Sequence, residues 1–192
     1  MNKRHRIFEV ADRQQGYFTA KQAQDCGIPR SHFQRKLLSG EWIKALRGIY
    51  RLTQYPVLER PELVLWILWS RDQHDLPQGV WSHETALDIH DLSDVMPAKM
   101  HMTVPPYFRR SLKTPKNLIL HFAPLTTTDI EIRQGYRVTT PLRTLLDIIE
   151  AGTISQEQIR RAIYEGLQKG ILLLSEVNQH ELLFRYKHVD TI

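Results

Sequence analysis

Between residues 30 and 51 the chain carries Arg30, Ser31, His32, Arg35, Lys36 and Ser39, followed by Lys44, Arg47 and Arg51. Their guanidinium, ammonium and hydroxyl groups are hydrogen-bond donors suited to the phosphate oxygens and base edges of duplex DNA. At about 100° per residue, His32, Arg35, Lys36 and Ser39 share one arc of a helix, and Phe33, Leu37 and Leu38 share the opposite one. The apolar arc can dock on a preceding helix through the small residues Ala20 and Ala23. The basic arc is then left outward for the major groove, with Arg30 and Ser31 at the helix start near phosphate. Lys44, Arg47 and Arg51 lie on or beside a turn at Gly48, where they can contact phosphate or enter the minor groove.

The surrounding residues supply the elements that would hold these groups. A first helix is expected over residues 5–15, with Ile7, Phe8, Val10 and Ala11 as its apolar side and Gly16 at its end. Thr19 with Gln22, and Ser31 with Gln34, both fit the S/T-x-x-E/Q capping box, so two short capped helices are expected. Between them Gly27 suits a left-handed helix end and Pro29 stops the first helix from continuing. Trp42 to Leu52 alternates as a ribbon broken at Gly48, with Trp42, Ile43, Leu46, Ile49 and Leu52 holding it to the core. Helix, turn, helix and hairpin in that order predict a winged helix-turn-helix over residues 1–53.

Charge follows the same division. Residues 1–60 hold 12 Lys and Arg against 5 Asp and Glu, whereas residues 61–192 hold 14 against 16. The positive surplus therefore sits on the end expected to meet phosphate. A hydrophobic content of 42% is that of an ordinary globular protein. The basic start, with Lys3, Arg4 and Arg6 offering a further phosphate-contacting arm, leads into no long apolar run. Neither a secretory leader nor a membrane span is expected, and a cytoplasmic location follows. The single Cys26 excludes an internal disulfide.

Residues 54–61 contain two prolines and read as a connector. Beyond them a mixed α/β domain over 62–192 is expected, so the fold class is α+β. Its first helix, Pro61 to about Arg71, is apolar nearly all round and is expected at the centre of the second core. Ser82 is expected to cap a helix over His83–His90. Residues 100–104, 118–122, 130–132 and 136–139 read as strands. Thr140-Pro141 opens a helix through Ile149, Ser155 with Gln158 opens another to Lys169, and a last helix covers about Ser175 to Tyr186.

Candidate chemistry in this second part is sparse. Ser82-His83-Glu84 and His90-Asp91 invite a catalytic or metal reading, but His83 and His90 lack the spacing of an H-E-x-x-H helix, and no cysteine ligands or G-x-S-x-G turn accompany them. Asp129-Ile-Glu131-Ile-Arg133 approaches a nuclease pattern, but Arg stands where a neutralisable lysine is needed. Arg143 and Asp147, one helical turn apart, fit a local ion pair. No catalytic, cofactor-binding or metal-binding residue is assigned, and the chain is read as a non-enzyme that needs no cofactor.

Several runs together resemble the AbiEi-type antitoxins of type IV, abortive-infection toxin–antitoxin systems. They are Gly16-Tyr-Phe-Thr-Ala20, Arg47-Gly-Ile-Tyr-Arg-Leu52, Trp81 to Ser93, Met102-Thr-Val-Pro-Pro106 and Val138 to Asp147. The resemblance implies an N-terminal winged helix that represses its own operon at inverted repeats. It also implies a C-terminal domain that counteracts a nucleotidyltransferase-like toxin, without requiring a stable complex with it. The alternatives are a solitary winged-helix transcription factor with a ligand- or partner-sensing C-terminal domain and, more remotely, a metal-dependent nuclease.

Overall fold

The computed structural model describes residues 2–110 and 113–187. The chain divides into two compact units, Met1–Gly79 with Ile132–Tyr136, and Val80–Glu131 with Arg137–Ile192.

The first unit opens with α1 (Lys3–Asp12), capped by the Asn2 side chain, which accepts from the Arg4 N–H at 3.1 Å. Strand β1 (Tyr17–Thr19) leads into α2 (Ala20–Asp25). The expected capping box forms: the Thr19 hydroxyl accepts from Gln22 N–H at 3.1 Å, and Gln22 Oε1 accepts from Thr19 N–H at 2.8 Å. After a 3-10 turn at Arg30–His32 come α3 (Phe33–Leu38), β2 (Trp42–Leu46), β3 (Ile49–Leu52) and α4 (Pro61–Trp69). The three strands form an antiparallel sheet in the order β1-β3-β2, pairing Tyr17 and Ile43 with opposite sides of Arg51.

The core of this unit is aromatic. Phe18 and Phe33 meet Trp42 edge to face at centroid distances of 4.7 and 5.2 Å, and Ala20, Ala23 and Leu37 pack on the same cluster. Such pairs contribute about 0.5–1.5 kcal/mol each beyond area burial. Ala23 of α2 and Phe33 of α3 are buried in this one cluster.

The boundary lies later than the expected connector at 54–61. Helix α4 packs on β1 and β3, so its buried Leu63, Val64, Ile67, Leu68 and Trp69 serve the first unit rather than the centre of the second. A helix apolar on nearly every side must be buried somewhere, and the strands of the small sheet supply the surface.

A five-stranded sheet has the order β6-β5-β4-β8-β7, built from β4 (Val80–Trp81), β5 (Met100–Val104), β6 (Leu118–Phe122), β7 (Ile130–Arg133) and β8 (Tyr136–Thr139). Strand β4 runs antiparallel to β5 and parallel to β8, while β5 and β6 are parallel. Helix α5 (His83–Ile89) follows β4, and α6 (Pro141–Ala151) follows β8. Helix α6 starts with Pro141 behind the Thr140 cap and ends at a left-handed Gly152, the expected asymmetry of helix ends. The Ser155–Gln158 capping box opens α7 (Gln156–Gln168). The last expected helix is two, α8 (Leu174–Gln179) and α9 (Glu181–Lys187), parted where His180 turns extended. Leu87, Leu145, Ile148, Ile163 and Leu183 form the core shared by these helices.

Candidate nucleic-acid interface

Chain direction into α3 is set by two backbone devices. Gly27 adopts φ +83°, and Ile28 N–H reaches back to the Ala23 carbonyl at 3.0 Å, closing the end of α2. Pro29 then fixes an extended step and the 3-10 turn begins at Arg30. For that reason Ser31 is not a helix cap. It lies within the turn, α3 starts at Phe33, and no side chain caps it. The Ser31 hydroxyl is thereby left exposed beside Arg30.

Of the expected arc, His32, Arg35 and Ser39 are exposed and Lys36 is half-buried. Ser31, Gln34, Arg35 and Leu38 are exposed, spaced three, one and three apart as one helical face requires, and Leu38 is 78% exposed. Leu38 therefore does not belong to the apolar docking arc, which Phe33 and Leu37 supply. Lys36 is half-buried, bonded to Glu41 at 2.6 Å, and Ser39 Oγ donates to the same carboxylate at 3.2 Å. The hydrogen bond from Lys36 holds the Glu41 carboxyl below the usual carboxylate range. His32 is exposed at the end of the 3-10 turn, on the Lys36 side of the helix. Gln34 and Leu38 are exposed residues that the expected arc left out. Their spacing from Ser31 and Arg35 places them beside the expected arc.

The wing is compact. Leu46 pairs with Ile49, so the loop is Arg47-Gly48 alone, with Gly48 at φ +75°. Gly48 takes the left-handed position of the turn without steric cost, and the β2 register shifts between Lys44 and Leu46. Arg71 braces the turn, its Nη2 lying 3.4 Å from the Arg47 carbonyl oxygen and 3.5 Å from that of Gly48. It also pairs with Asp75 at 2.9 Å, and that carboxylate accepts from the Thr19 hydroxyl at the cap of α2. Lys44 and Arg47 are exposed.

Arg51 is not a wing contact. It is 8% exposed, donates to the Tyr55 carbonyl and sits with its guanidinium carbon 6.0 Å from the Tyr17 ring centroid. The strand period explains the correction: Ile49 and Arg51 share a face of β3, and that face is buried. Ile43, expected on the core, is exposed on the alternate face of β2. Of the basic N-terminal residues, Arg6 is tied to the end of α2 through the Asp25 carbonyl at 3.0 Å, while Lys3 and Arg4 are exposed in the first turn of α1.

Polar residues singled out in the second unit are accounted for differently. Ser82 holds the N-cap position of α5, as expected, but its hydroxyl makes no capping bond. It accepts from the Thr103 hydroxyl at 2.8 Å and contacts His83 Nδ1 at 3.0 Å. Folding brings His83, His101 and His121 together although they are far apart in sequence. His83 stacks on His121 at 3.5 Å, and His101 Nδ1 lies 3.0 Å from Glu84 Oε2 and 3.1 Å from His121 Nε2. Burial lowers the pKa of all three, that of His83 to about 3, assisted there by its neighbouring histidines and Arg143. Face-to-face stacking directs ring faces, not nitrogen lone pairs, at one another. No group of three His, Cys, Asp or Glu suited to a metal ion occurs among the described residues.

His90 is buried on the Thr139 carbonyl at 2.7 Å, and Asp91 pairs with Lys169 at 2.7 Å. Asp129 closes a capping box with Thr126, which consumes the first carboxylate of the nuclease-like run. Arg143 and Asp147 form the expected pair at 2.6 Å, with Asp147 buried and its carboxyl pushed up by desolvation against the opposing effect of Arg143.

A three-stranded sheet, a turn-linked pair of short helices and a two-stranded ribbon make the first unit a winged helix-turn-helix. More particularly, residues 5–53 match the profile of the family described as "Transcriptional regulator, AbiEi antitoxin". A search of curated protein sequences returned no match. Among solved structures, the RV2827C protein from Mycobacterium tuberculosis aligns over 99% of this chain and 83% of its own, at 12% identity and a TM-score of 0.45. A likeness at that level carries no further argument. No helix among the described residues is long and apolar enough to cross a membrane.

Proposed function

We propose that this chain is a DNA-binding transcriptional repressor that acts as the antitoxin of a type IV toxin–antitoxin system. In this reading it represses its own operon at inverted repeats and counteracts a nucleotidyltransferase-like toxin, in the cytoplasm and without catalysing a reaction. The observation that carries the reading is the match of residues 5–53 to the AbiEi antitoxin regulators, on a module whose α3 leaves Ser31, Gln34, Arg35 and Leu38 exposed. Arg35 and Gln34 have the chemistry to read base edges, and Leu38 can meet a thymine methyl. Arg30, Ser31, Lys44 and Arg47 are assigned to phosphate. His32, Lys36 and Ser39 flank the reading face, with Lys36 needing release from Glu41 before it serves DNA.

Two assays test this. Selection of the full chain on a randomised duplex library is expected to enrich two related half-sites in inverted orientation. Co-expression with an adjacent nucleotidyltransferase gene is expected to restore growth, and an Arg30→Ala/Arg35→Ala variant should lose repression while retaining rescue. Failure to enrich any sequence would remove the repressor reading. Enrichment without rescue by the chain would leave a solitary regulator.

A further inference from the structure

The first unit holds a second feature that adjoins the DNA-binding arc and shares Arg35 with it. A cavity of about 560 Å³ opens between the first turn of α1 and the start of α3. Its volume falls in the range of pockets that take small organic ligands, roughly 300–1,000 Å³. The walls are of two kinds. Ile28 and Trp42 form an apolar floor, extended by Phe8 and Tyr55, whose rings lie 6.3 Å apart. The rim is cationic: Lys3, Arg4, Arg35 and Lys36 line it against a single carboxylate, Glu41.

Glu41 is committed to Lys36 at 2.6 Å and to Ser39 at 3.2 Å, so it balances one of the four cations. One carboxylate against four cations leaves the rim with a net positive surplus, even with Arg4 also acting on Glu41. The aliphatic stem of Lys3 lies along Gly27, where an added Cβ would come within 3.4 Å of its Cε, so it holds a defined course at the edge of the cavity. An apolar floor with aromatic walls and an uncompensated positive rim selects a molecule with an apolar or aromatic body and an anionic head.

We propose that this cavity is an effector site for a small amphipathic organic anion, whose head is held by Lys3, Arg4 and Arg35 and whose body rests on Ile28, Phe8 and Tyr55. Arg35 belongs both to this rim and to the exposed arc of α3. A bound anion therefore engages a guanidinium that the duplex requires, and the two ligands compete. The competition rests on the DNA-binding reading above; the site itself does not.

The probe is 8-anilinonaphthalene-1-sulfonate, an aryl anion, titrated into the full chain by calorimetry, with neutral N-phenyl-1-naphthylamine as its uncharged counterpart. The site is expected to bind one sulfonate per chain. Arg4→Glu and, separately, Lys3→Glu should weaken binding at least tenfold, while Lys116→Glu, an equal charge change in the second unit, should leave it unchanged. The neutral compound should bind at least tenfold more weakly than the anion. Absence of saturable binding, or equal losses from Arg4→Glu and Lys116→Glu, would overturn the site. Saturating probe should weaken binding to a selected duplex severalfold, and an unchanged duplex affinity would overturn the coupling. A chain that binds the probe but no duplex keeps the site and loses the repressor reading; the converse result keeps the repressor and loses the site.

Discussion

Arg35 and Arg51 differ by one structural fact, and replacing each by alanine separates their roles. Arg51 is buried beneath the ribbon, donating to the Tyr55 carbonyl with its guanidinium near the Tyr17 ring. A hydrogen bond involving a charged group contributes about 1.5–3 kcal/mol, and a cation–π contact adds about 0.5–1 kcal/mol. Arg51→Ala should therefore cost about 2–4 kcal/mol, which lowers the melting temperature of a unit this size by on the order of 10 °C or more. Arg51→Met, which keeps the apolar stem, should recover part of the loss.

Arg35 is exposed, and Arg35→Ala should leave stability within about 0.5 kcal/mol of the parent. Duplex affinity should instead fall roughly tenfold to a hundredfold for a base-edge contact, with relaxed specificity at one position. Differential scanning calorimetry gives the first quantity, and fluorescence anisotropy on a selected duplex at several salt concentrations gives the second. Each phosphate contact contributes about 0.9 to the log–log salt slope. Arg47→Ala should lower that slope by nearly one, and Arg51→Met should not change it. An Arg51→Ala variant that melts like the parent but loses a unit of salt slope would refute the assignment of Arg51 to the interior.

Two further outcomes concern the second unit. His83 has a folded pKa of about 3 against an ordinary value near 6.5. Below about pH 6.5 the unfolded chain takes up a proton that the folded chain refuses. Stability is thus full above that pH and falls on acidification toward 3, with His101 and His121 lowered in the same direction. Melts from pH 7.5 to 4 should show this decline, and His83→Asn, whose residue tolerates the φ of +51°, should flatten it; a parent curve with no slope would contradict the account. Arg143 is partly exposed, so its charge can still reach water without its partner, and the loss is that of a charge-assisted hydrogen bond, about 1.5–3 kcal/mol. Asp147→Ala, which takes the carboxylate from Arg143, should lower the denaturant midpoint of the second unit accordingly, and an unchanged midpoint would count against a structural role for the pair.

What the sequence made legible was what depends on neighbours in the chain. The Thr19 and Ser155 boxes, the left-handed Gly27 and Gly48, and strands β5 to β8 were all readable from local chemistry. What failed depended on distant surfaces or on helix phase. The 3-10 turn at Arg30 removed the Ser31 cap, and Leu38, read as apolar core, is exposed. The pairing of β3 with β1 buried Arg51. Helix α4 was correctly read as buried, but the surface that covers it could not be read from its own residues. The three histidines of the buried cluster sit at positions 83, 101 and 121, and only the β4-β5-β6 arrangement brings them together.

The shortness of α3 carries a consequence for information. Six residues rise about 9 Å, which spans roughly three base pairs at 3.4 Å each. A word of three letters recurs by chance about once in 64 positions, against the roughly 10⁶ or more competing sites of a genome. The loop of the wing, limited to Arg47-Gly48, adds little to that reading length. A reader this short cannot address one promoter by itself. On the proposed repressor reading, two copies on inverted half-sites would spell a longer word than either can read.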